Sequence, residues 1–161
     1  MKEKSKLEKL KEEYKIIQEE HSLPSFEDLN REFSIERVIE VETDFLVREV
    51  RRQISEKFSG TLRLIDVLLN PSNTPAFLFP AIKSISKEEK EIMEKIYESI
   101  SKMEMENIKL DLIYSESEDI KYIKNAFCYW IEIKKDLSGI FSCIENNWGK
   151  KSEKANNCYF G

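Results

Sequence analysis

Apolar side chains recur every three or four residues along most of this chain, with polar ones between them. The clearest run lies over 43–69, where Val47, Val50, Ile54, Phe58, Ile65 and Leu68 fall on one stripe and Thr61 fills the remaining step. At about 100° per residue that spacing is helical. Arg48, Arg52, Ser55, Ser59 and Arg63 take the opposite side. A helix of this length, about 40 Å at 1.5 Å per residue, has to bury its stripe against partners of similar length. Two follow it. Ser86-Lys87-Glu88-Glu89 is a capping box. It opens a helix predicted over 86–113, with a stripe of Ile92, Met93, Ile96, Ile100, Met103 and Ile108. Acids among Ser115–Asp119 suit the N-terminal dipole of a third helix, predicted over 118–147 through Ile120, Ile123, Phe127, Trp130, Ile131, Leu137, Phe141 and Ile144.

The N-terminal pieces are shorter. Leu7, Leu10, Tyr14 and Ile17 make a narrow stripe in a Lys/Glu-rich stretch, which predicts a loosely docked helix over 1–22. Pro24 ends it, because proline pushes the preceding residue out of the helical region. Ser25 is a plausible N-cap for a short helix to Phe33, and Ser34–Glu42 adds a turn or two with Ile35, Val38 and Ile39 inward. Thr43 or Asp44 caps the first long helix. Pro71, Pro75 and Pro80 rule out a continuous helix between the first two long ones, leaving the apolar connector 76–82. The polar stretch 149–161 is expected to be a disordered tail. No strand-like alternation and no internal repeat stands out. The pattern therefore predicts an all-α, up-down helical bundle: three long helices, shorter N-terminal ones, and one bundle domain over 23–148.

Composition narrows the class. With 161 residues the chain suits one domain with a sizeable core, and four glycines with four prolines are few for a sheet-rich fold. A net charge of −5 gives no global support for binding polyanions. No run approaches the ~18 apolar residues of a membrane span, and the Lys/Glu-rich start lacks the apolar core of a secretory signal. Cys128, Cys143 and Cys158 are odd in number and widely spaced. These features predict no membrane association, no disulfide and a reducing, cytoplasmic setting.

Candidate chemistry is sparse. The sole histidine, His21, falls in a predicted exposed hinge, and no metal-ligand, phosphate-loop or nucleophile motif occurs. No catalytic residue, metal ligand or cofactor site is expected. The arginines are more informative. All six (Arg31, Arg37, Arg48, Arg51, Arg52, Arg63) fall between residues 31 and 63, and no lysine occurs from Ile16 to Glu56. Arginine offers a planar fork for carboxylate or phosphate. Three uses are open: intramolecular pairing with the bundle's acids, including Asp44–Arg48, Arg52–Glu56 and Arg63–Asp66 along the helix, an acidic protein partner, or nucleic-acid phosphates. The connector 76–82 is either a lid on the core or a docking loop. The reading is a non-catalytic helical interaction or assembly subunit. Its partner-binding candidates are Arg48, Arg51, Arg52, Arg63, Phe77 and Phe79. The alternative is a nucleic-acid- or ribonucleoprotein-associated factor using the same arginines.

Overall fold

The computed structural model describes residues 5–41 and 43–157, with side chains throughout except at 73 and 148–157. Over that span the protein is all-α and contains no strand. The α-helices are α1 (Lys6–His21), α2 (Phe26–Phe33), α3 (Leu46–Leu69), α4 (Phe79–Ser84), α5 (Lys87–Leu112) and α6 (Glu116–Asn157). Short 3₁₀ turns over Ile35–Glu40, Pro71–Asn73 and Ala76–Leu78 join them. The chain divides into two compact units: Met1–Ser59 with Lys102–Trp130, and Gly60–Ser101 with Ile131–Gly161.

Helix starts follow local hydrogen bonding. Ser5, Ser25 and Ser86 each accept a backbone N–H three residues on, and Glu8 and Glu89 return the bond to the serine N–H. Thr43 Oγ1 accepts from the Phe45 N–H at 2.9 Å, just before α3. Helix ends use the left-handed backbone: Ser22 (φ 52°) closes α1 and Ser34 (φ 55°) closes α2. Pro24 leaves His21 as the last residue of α1, near Glu20, and out of the hinge expected for it.

In the first unit, all four α3 stripe residues Val47, Val50, Ile54 and Phe58 are buried. Phe33, Phe58 and Trp130 form an aromatic cluster with ring centroids 5.7 to 6.2 Å apart. The α1 helix docks more closely than its narrow stripe suggests: Leu10 and Tyr14 are buried, and the Tyr14 hydroxyl donates to the Pro24 carbonyl at 2.8 Å. Ile35 and Val38 are buried as expected, while Glu42 lies outside the described residues. In the second unit, Ile65, Leu68, Ala81, Ile85, Met93, Ile96, Ile100, Ile133, Leu137, Ile140 and Ile144 are buried.

Several expected positions change. In α6 the buried seam runs Ile123, Ala126, Trp130, Ile133, Leu137, Ile140, Ile144. That is a strict three–four alternation, so Ala126, Ile133 and Ile140 point inward while Phe127 and Phe141 are half-buried and Ile131 is exposed. In α5, Ile92 and Ile108 face solvent, and the seam continues through half-buried Asn107 to Leu110. The α6 backbone continues as helix past the expected end near 147 to Asn157, so over 149–157 it departs from the disordered tail expected there; residues 158–161 lie outside the described residues.

These placements set a stability test. Ile54→Ala should cost about 2–5 kcal/mol, the range for large-to-small changes in a core, whereas Phe127→Ala should cost clearly less. Urea denaturation of both variants checks this, and equal losses would mean the α6 seam is misplaced.

A buried ion cluster and an exposed apolar corner

Arg51 sits next to the α3 stripe, so the same rotation that buries Val50 and Ile54 carries it inside. Its side chain is fully buried. A guanidinium taken out of water needs several acceptors, and three come from the other two helices. Nη2 contacts Asp111 Oδ1 at 2.5 Å, Nε lies 2.6 Å from Asp119 Oδ1, and Nη1 donates to the Asn107 side chain. Asn107 and Asp111 are one turn apart on α5, and Asp119 lies in the first turn of α6, where negative charge is also favoured by the dipole. The cluster therefore fastens α3, α5 and α6 within the first unit.

Its neighbours extend it. Arg48 Nη2 donates to the Asp111 backbone carbonyl at 3.0 Å, and its guanidinium lies 5.6 Å from the Tyr114 ring centroid. Arg52 pairs with Glu49 at 2.9 Å and with Asp111 at 3.2 Å. One turn further, Ser55 and Ser59 both donate to the Glu104 carboxylate, at 3.0 and 2.7 Å. Contacts from 48 to 59 on α3 thus meet positions from 111 back to 104 on α5, so these two stretches run antiparallel. Elsewhere in the unit the Trp130 Nε1–H donates to buried Glu32 at 2.9 Å.

Electrostatics differ between the two aspartates. Burial dominates at Asp119 and pushes its carboxyl above the usual carboxylate range, with Arg51 and Arg48 opposing. At Asp111 burial acts in the same direction, but hydrogen bonds from Arg51 and Arg52 together outweigh it and hold the carboxyl below its usual range. Because both face one guanidinium, they titrate as a coupled set.

The predicted site residues therefore separate. Arg51 is a core residue and offers no surface fork, which corrects its assignment as a partner contact. Arg48 and Arg52 stay at the surface but are paired with groups on α5 and α3 rather than with Asp44 and Glu56. Arg63 is exposed on α3 in the second unit. The connector is divided: Ala81 is buried, while Phe77 is 66% and Phe79 42% exposed. So it is neither wholly a lid nor wholly free.

Periodicity missed a second surface. Leu112 is 80% exposed and Ile113 72%, and Phe45, Met105, Ile108 and Tyr114 beside them are also open. Phe45 packs edge-on against Tyr114 with centroids 5.0 Å apart, and Arg48 covers that ring. The signal was present in the sequence as Leu112-Ile113-Tyr114, three apolar residues ending a helix just before an acidic turn. Among the described residues no group of three or more His, Cys, Asp or Glu is placed to hold a metal ion, Cys128 and Cys143 are free and exposed, and no helix is long and apolar enough to cross a membrane.

Two outcomes follow from the cluster. Arg51→Met should cost roughly 3–5 kcal/mol, the penalty for leaving a buried partner charge unpaired, and adding Asp119→Leu should recover much of that loss in a double-mutant cycle by denaturation. Additive losses would show that the pair is not coupled. The second outcome is a slope. A carboxyl raised in the folded state favours folding at low pH, and that contribution fades as pH rises through its folded pKa. Relative to Asp119→Asn, the wild type should therefore lose stability as pH rises from about 4. A gain over the same range would reverse the assigned direction.

The sequence matches no family model, and no curated protein or solved structure shows significant similarity to it.

Proposed function

We propose that this protein is a non-catalytic helical interaction or assembly subunit whose main contact surface is the apolar corner formed by Phe45, Ile108, Leu112, Ile113 and Tyr114. One observation carries this reading: Ile108, Leu112, Ile113, Tyr114 and Phe45 are all exposed to solvent, with Phe45 packed edge-on against Tyr114 and Arg48 over the same ring. Contiguous apolar patches beyond a few hundred Å² are uncommon on monomeric proteins and mark interaction sites. Arg48 and Arg52 form part of its rim, and Phe77 and Phe79 provide a separate exposed apolar contact in the second unit.

The nucleic-acid reading is weaker on this geometry. It relies on Arg48, Arg51 and Arg52, whose forks are taken up by Asp111, Asp119 and Glu49. A phosphate would have to compete with carboxylates already in place.

Site-specific photocrosslinking tests the proposal. A photoreactive residue at Leu112 should give adducts with another polypeptide in native lysate, unchanged by nuclease, while one at exposed Glu94 should give few. Adducts at neither position, or adducts at Leu112 that vanish with nuclease, would contradict it.

A further inference from the structure

The first unit also holds a polar cavity of about 250 Å³ whose lining shares no residue with the apolar corner. Glu32 and Phe33 bring the end of α2 to it, and Arg37 comes from the 3₁₀ turn that follows. Gln53, Glu56 and Lys57 come from one face of α3, at i, i+3 and i+4. Phe33 is the one apolar residue in this lining.

Two features mark the cavity. One of its carboxylates is buried: the Glu32 side chain is 5% exposed, accepts the Trp130 Nε1–H at 2.9 Å and lies 3.4 Å from Arg31 Nε. Two of its exposed charges are left open. Among the described residues the Arg37 and Glu56 side chains make no ion pair or hydrogen bond, although they have opposite signs and line the same cavity. Lys57, 5.4 Å from the Trp130 ring centroid, adds a second cation. The carbonyl end of α2 adds a partial negative charge.

The lining therefore holds both signs. A simple anion would meet Glu32 and Glu56, and a simple cation would meet Arg37 and Lys57. A ligand with both an ammonium and a carboxylate suits all of them. Arg37 offers its planar fork to the carboxylate, while Glu56 and the carbonyl end of α2 receive the ammonium. Size narrows the class. At ~30 Å³ per water-sized group the cavity holds about eight non-hydrogen atoms, and so polar a lining gives a large apolar side chain nothing to pack against. We propose that this cavity binds a small polar α-amino acid, of the size of serine or threonine, bridging Arg37 and Glu56.

Titration of the full chain with L-serine, followed by NMR at the Trp130 indole N–H and the Arg37 Nε–H, tests this. Saturable shifts at both are expected, with a Kd of about a millimolar for so small a ligand. N-acetylserine lacks the ammonium and ethanolamine lacks the carboxylate. Each is expected to bind at least about tenfold more weakly than serine. Arg37→Gln and Glu56→Gln, both at exposed positions, should each weaken serine binding about tenfold without lowering Tm. No saturable shift with serine, or an equal response to either half-ligand, would overturn the inference. So would serine binding that both variants leave unchanged. Each of these results leaves the apolar corner as a protein contact untouched.

Discussion

A buried guanidinium sets the terms for the first unit. Burying the Arg51 guanidinium in an apolar core is costly without acceptors around it, so wherever α3 packs, Asp111, Asn107 and Asp119 must come with it. The cost of burying these ions offsets much of their attraction, so the cluster is better seen as a register pin than as a source of stability. An axial slip of α5 by one turn would move Asn107 and Asp111 away from the guanidinium. A slip in a purely apolar seam would only exchange one aliphatic contact for another. Ser55 and Ser59 on Glu104 repeat the logic one turn along.

The exposed corner follows from that pin. Orienting Asn107 and Asp111 toward α3 rotates Ile108 and Leu112 outward, since neighbours on a helix are 100° apart. The polar layer inside and the apolar patch outside are thus two consequences of a single helix rotation. Arg48 links them directly, bonding the Asp111 carbonyl on one side and covering Tyr114 on the other.

How much of this could be read from the chain depends on whether the deciding information was local. The α3 stripe was legible because its six apolar residues are large and evenly spaced, and all six are buried. The Ser86 capping box and the proline-broken connector were legible for the same reason. The inside position of Arg51 was not, because its partners lie 56 to 68 residues away and its own neighbours allow either face. Ile108 misled for a related reason: apolar counting prefers isoleucine to asparagine, yet only asparagine answers Arg51. In α6, large Phe127 outweighed small Ala126, although close packing against neighbouring helices favours the smaller residue. The end of α6 was expected near 147 because the stretch from 149 is polar, but a helix already formed can propagate into polar residues without an apolar face to bury.

Whether Arg51 is an internal ion or a surface fork is the point on which the account turns. The side-chain Nε–H resonances of arginine report it directly through their exchange with water. A buried Arg51 should give a signal that exchanges slowly near neutral pH, in contrast to a fast-exchanging signal from exposed Arg63. Equal, fast exchange at both residues would show that Arg51 reaches solvent, and would return the arginine cluster to the surface.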